Sequence, residues 1–131
     1  MTKQEIFELI CKALLKQNKR STGKVRAGTN RDGTPLYDDR CRYRGDGGCK
    51  CAAGFLIPDP VYDPLMEGSL FGAIYNDPRF YELQKLSLSS PAIRLVEKLQ
   101  SIHDGVEVSL WREQMHELGK QERFDVSFLD A

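Results

Sequence analysis

Three stretches of the chain carry apolar residues at helical spacing and open on side chains suited to capping, while the middle is rich in glycine and proline. This alternation constrains the fold most. Helices from both ends of the chain have to build the core, and the middle has to wrap onto them. In the first stretch, Thr2-Lys3-Gln4-Glu5 has the form of a capping box. Ile6, Leu9, Ile10, Ala13 and Leu14 follow as one apolar stripe, predicting a helix over 3–17, with Cys11 beside the stripe. In the second, Ser90 stands as N-cap with Pro91 at the first helical position, and the helix runs to Gly105. In the third, Ser109 precedes a stripe of Trp111, Met115 and Leu118.

Residues 18–39 contain Gly23, Gly28, Gly33 and Pro35 among polar residues and read as a mobile loop with a turn at Asp32-Gly33. Next, 40–44 and 49–53 flank Gly45-Asp46-Gly47-Gly48, the signature of a β-hairpin. Turn length decides its register. A two- or four-residue turn sets Arg42 opposite Cys51; a three-residue loop with a bulge sets Cys41 opposite Cys51, with Cys49 on the same face. Ala52 to Ile57 either continues the strand or starts a short helix, which would put Cys51 at a helix N-terminus where thiolate is favoured. Residues 79–88 suit a short helix with Phe80, Leu83 and Leu86 inward, and 124–129 an extended tail. The expectation is one α+β domain over 1–131, mostly helical, with a hairpin packed on about three helices.

With 131 residues, the chain can bury a core without metal or disulfides. No apolar run reaches membrane length and no secretory signal opens the sequence, so a cytoplasmic, reducing location follows. Net charge is zero but uneven. Residues 1–50 hold 12 Lys/Arg and 6 Asp/Glu, a net +6, and residues 51–131 hold 7 and 13, a net −6. The segment 12–31 is purely basic, including Lys19, Arg20, Lys24 and Arg26. It suggests an acidic protein surface, a nucleic acid or a nucleotide as partner, against the plainer reading of a solvated face. Arg42 and Arg44 are further candidates for an anion.

Three chemistries involve the cysteines. Cys41, Cys49 and Cys51 lack the paired spacing of zinc ribbons, so no metal or other cofactor is expected. A Cys41–Cys51 disulfide fits one register but not a reducing compartment. A thiol enzyme would take Cys51 as nucleophile and His103 as base. Asp104 neighbours His103 in sequence, but adjacent helical residues do not face each other, so Glu67 or Asp59 competes as the group that orients the imidazole.

Tyr43-Arg44-Gly45, Cys51-Ala52-Ala53-Gly54 leading into Leu56-Ile57-Pro58-Asp59, Tyr62-Asp63-Pro64, Glu67-Gly68 and Leu99-Gln100 before His103-Asp104 and Trp111 resemble a pattern shared by small bacterial and phage proteins. The resemblance implies a polar set of Cys51, Glu67, Gln100, His103 and Asp104, serving as a site or as a buried hydrogen-bond network. It brings no activity with it. Two function classes follow: a small phage or mobile-element protein that binds a host macromolecule as inhibitor or modulator without catalysis, or a small cysteine-dependent hydrolase or transferase using Cys51 and His103.

Overall fold

A computed structural model describes residues 1–130. The elements in chain order are helix α1 (Lys3–Gln17), strands β1 (Thr22–Thr29) and β2 (Pro35–Cys41), and helices α2 (Phe71–Tyr75), α3 (Ser90–Gly105) and α4 (Trp111–Gln121). Short 3-10 turns link the rest, the longest over Pro78–Leu86. The fold is α+β and mostly helical, as the periodicity indicated. No helix among the described residues is long and apolar enough to cross a membrane.

The helices form for the reasons visible in the sequence. At the start of α1, the Thr2 hydroxyl accepts from the Glu5 amide at 3.1 Å and the Glu5 carboxylate accepts from the Thr2 amide at 2.9 Å. The helix buries Ile6, Phe7, Ile10, Cys11 and Leu14 against α3 and α4. The N-cap of α3 is Ser89, one residue earlier than the sequence suggests, and its hydroxyl accepts from Ala92 N. In α4, Trp111, Met115 and Leu118 face the core, but the helix begins at Trp111 after a 3-10 turn over Val108–Leu110 rather than at a Ser109 cap. The tail closes as a 3-10 turn over Ser127–Asp130, not as an extended piece, and its Phe128 and the preceding Phe124 pack on Phe7. Residues 78–86 likewise wind as 3-10 with a break at Phe80, and Phe80 and Leu83 point inward.

The hairpin lies elsewhere in the chain. The 18–39 segment, expected as a loop, supplies all of β1 and most of β2, paired antiparallel with Thr22 opposite Cys41 and Lys24 opposite Asp39. At its tip the Asp32 carboxylate accepts from the Thr34 amide and hydroxyl, and Gly33 takes φ +89°. Around Gly45–Gly48 there is only a tight turn, closed by the Gly45 amide donating to the Cys49 carbonyl at 2.8 Å.

The reason is that the backbone donors on both sides of that turn are engaged elsewhere. The Arg42 amide donates to the Ser21 carbonyl, and the Tyr43 and Arg44 amides donate to the two oxygens of Glu67. Across the turn, the Lys50 amide donates to the Gln17 side chain and the Ala53 amide to that of Gln100. No ladder can form between strands whose donors are already spent.

Glu67 thus holds the middle of the chain together. Its carboxylate also accepts from the Tyr62 hydroxyl at 2.7 Å and faces the Arg42 guanidinium at 3.5 Å. Burial, and then this carboxylate, push the Tyr62 phenol up to about 12. Arg44 reaches the carbonyls of Gly54 and Ile57 and pairs with Asp59 at 2.8 Å, tying down the turn after Cys51. Gly54 lies so close to the Tyr43 carbonyl that a Cβ there would collide with it. Removing the carboxylate leaves three donors and a cation unpaired. Glu67→Ala should cost about 3 kcal/mol in urea unfolding; a loss below about 1 kcal/mol would contradict the clamp.

Candidate functional site

Helix α3 places Gln100, His103 and Asp104 three and four residues apart, on one face of its last turns. The base of the hairpin crosses this face. Between them and the Gly68–Phe71 segment lies a cavity of about 560 Å³, lined by Thr22, Cys41, Tyr43, Cys51, Gln100 and His103 among others. A volume of this order suits a small molecule or a large side chain.

His103 is the centre of the site and is fully buried, with its ring stacked on Trp111 at 5.5 Å between centroids. The Ser21 amide donates to Nε2 at 2.9 Å. An amide can only donate, so Nε2 carries the lone pair, and the neutral ring holds its proton on Nδ1. That proton is directed at Asp104 Oδ1, 2.7 Å away. Cys41 Sγ lies 3.7 Å from the same nitrogen. The Gln100 amide fixes the polarity of the network: its oxygen accepts from the Ala53 amide, and its nitrogen donates to Asp104 Oδ1 at 2.7 Å and to Cys41 Sγ at 2.8 Å.

The charges follow. Burial pushes the Asp104 carboxyl upward, but donors on His103, Cys41 and Gln100 outweigh it and hold the group below the usual carboxylate range. The Cys41 thiol is driven well above its ordinary value, first by its hydrogen bond with the Cys51 thiol and then by burial. Cys41 is therefore a protonated thiol at neutral pH.

The sequence-derived residues divide into groups. Gln100, His103 and Asp104 meet at the cavity, and Cys51 lines it, 1% exposed. The thiol beside the imidazole, however, is Cys41; no hydrogen bond joins Cys51 to His103 among the described residues. Asp104 does face His103, against the rule for adjacent helical residues, because Gln100 one turn earlier draws its carboxylate across. Glu67 stands apart in the clamp described above. Cys49 is buried and its carbonyl faces Gly45 and Ser21, outside the cavity lining.

Of the basic residues, Arg20 donates to the carbonyls of His103 and Val106 at 3.1 and 2.6 Å, capping the end of α3. Arg42 and Arg44 are engaged by Glu67 and by the 54–59 turn. Lys19, Lys24 and Arg26 remain exposed. Lys24 lies opposite Asp39, and Asp38 and Asp32 share the hairpin, so the fold offsets much of the charge of the basic run. Sequence reasoning missed Ser21, whose role is a backbone amide and leaves no trace in residue type.

Cys41, His103 and Asp104 also bring a sulfur, a ring nitrogen and a carboxylate oxygen within 4.8 Å of one another. Ligating histidines donate their other ring N–H to an acceptor. Here the other nitrogen itself accepts from Ser21, so binding a metal at Nδ1 would set two protons against each other. The donor set does not fit a metal in this arrangement. No family model, curated protein or solved structure matches the chain.

Because the Asp104 carboxyl is held low in the folded state, it stabilises the fold above its ordinary pKa, and that contribution is lost as pH falls through the folded value. Asp104→Asn should therefore unfold at lower urea concentration than the native chain at pH 7, with the gap closing in acid below the usual carboxylate range. Equal stability at pH 7, or a gap that persists in strong acid, would contradict the network.

Proposed function

We propose that the protein is a non-enzymatic binding protein whose hairpin arm and adjoining cavity together receive an extended segment of a partner protein. The observation that carries this reading is the exposure of the arm. Every residue of β2 before Cys41 is exposed, including Leu36 and Tyr37 at 42% and 55%, and in β1 only Gly23 and Val25 are buried. With two strands in the sheet, each keeps a free hydrogen-bonding edge. An isolated two-stranded ribbon is marginal in water, so a partner strand along an edge stabilises it. The cavity opens at the foot of the arm beside Cys41 and can take a side chain from the same segment.

The partner in this reading is a host protein and the effect inhibition or modulation, supported by the small size of the chain and by thiol and carboxylate sharing one imidazole nitrogen. A nucleic acid is the weaker choice, since the hairpin sets acids among the bases that suggested it.

The second reading, a cysteine-dependent hydrolase or transferase, moves the nucleophile from Cys51 to Cys41 and is favoured by the 3.7 Å approach to His103. A triad uses one ring nitrogen for the nucleophile and the other for the orienting acid. Here thiol and carboxylate address the same nitrogen, and Ser21 takes the other. That arrangement favours the binding reading.

The test is capture of proteins from host lysate by the immobilised full chain, by Leu36→Ser/Tyr37→Ser and by Arg112→Ala, an exposed position of α4 outside the hairpin and the cavity lining. The proteins held by the native chain should be lost with the arm variant and kept with Arg112→Ala, with unchanged circular dichroism throughout. An arm variant that captures the same set overturns the proposal.

A further inference from the structure

Two thiols border the cavity, and the proposed recognition mode uses neither. Cys41 is half-buried at the end of β2, and Cys51 lies beneath it at the start of the turn into Ala53–Phe55. The chain around them is stapled at two points. The Ser21 hydroxyl lies 2.7 Å from the Arg42 carbonyl and 3.1 Å from the Cys49 carbonyl, bridging the residues that flank the pair. The Gln100 amide spans from Cys41 Sγ to the Ala53 amide, 2.8 and 3.1 Å from its ends. Both cysteines border this one cavity, and the two staples hold the segments that carry them against each other. The remaining cysteines are separate: Cys11 is sealed under α1, and Cys49 does not border the cavity.

We infer that Cys41 and Cys51 form a dithiol site that closes into an intramolecular disulfide when a low-molecular-weight disulfide enters the cavity. One thiol gives up its proton and attacks a sulfur of the oxidant RSSR, forming a mixed disulfide and releasing RS⁻. The second thiol, losing its proton, attacks the protein sulfur of that mixed disulfide and releases the second RS⁻. The two protein protons end on the two leaving thiolates, so RSSR is reduced to two RSH and the dithiol is oxidised by two electrons. The new bond ties the end of β2 to the core turn and withdraws the Cys41 sulfur from Gln100. It fixes the foot of the hairpin arm covalently, whatever the arm binds.

The folded full chain is incubated with glutathione disulfide, denatured, alkylated with N-ethylmaleimide and mapped by mass spectrometry without reduction. The expected product is a peptide pair joined through Cys41 and Cys51 that dithiothreitol separates, with Cys11 and Cys49 both alkylated. Cys51→Ser should instead retain glutathione on Cys41. Should that variant fail to fold, phenylarsine oxide on the native chain serves in its place: it bridges paired thiols, and Cys41 and Cys51 alone should escape alkylation. A stable glutathione adduct on Cys41 of the native chain, a bridge to Cys49, or four free thiols after oxidant would overturn the inference.

Discussion

The bond from the Ser21 amide to Nε2 of the buried His103 is the contact on which the rest of the site depends. It fastens the chain leaving α1 to the end of α3, and it does so where a mismatch would be expensive. A fully buried imidazole needs both nitrogens satisfied. Ser21 satisfies one and Asp104 the other, while Trp111 covers the ring face and its own indole N–H donates to the Val106 carbonyl. The neighbouring Arg20 caps the last carbonyls of the same helix. Residues 20 and 21 therefore fix where β1 begins, and with it the position of the hairpin and the cavity at its foot.

The same bond limits the chemistry. It selects the ring tautomer, and the tautomer directs the only imidazole proton at Asp104. Gln100, held at one end by the Ala53 amide, then has its nitrogen free for Asp104 and Cys41. His103, Gln100 and Asp104 are all hydrogen-bonded on this wall, and the Cys41 thiol is kept protonated. Such a wall suits recognition by shape and hydrogen bonds, the role proposed for it, and its donor set does not fit a metal. Its remaining reactivity lies between the two sulfurs.

The helices were legible because their signals are local. The Thr2–Glu5 box, the serine pair ahead of Pro91, of which Ser89 is the cap, and the stripes at Ile6–Leu14 and Leu95–Ile102 act within a few residues of themselves. The hairpin was not. Gly45–Gly48 has the composition of a hairpin turn, but Glu67, Gln17 and Gln100 take the backbone donors that a ribbon would use, and those acceptors lie 23 or more residues from their donors. The true strands carry two glycines, both in β1, and almost no apolar alternation, because little of the ribbon faces a core. Of the polar set, Gln100, His103 and Asp104 were legible from helical spacing and resemblance. Cys41 was read as a candidate for metal or a disulfide and not as the neighbour of His103, because that proximity arises from the register Thr22 to Cys41. Glu67 proved to hold backbone rather than to orient an imidazole.

The most direct test of this account is the tautomer of His103, read from long-range ¹⁵N–¹H correlation spectra of the labelled full chain at a pH where the ring is neutral. The account predicts a protonated Nδ1 and a bare Nε2, a pattern that Asp104→Asn weakens. A neutral ring with its proton on Nε2 would contradict it, since Ser21 could then no longer hold the start of the hairpin to the end of α3.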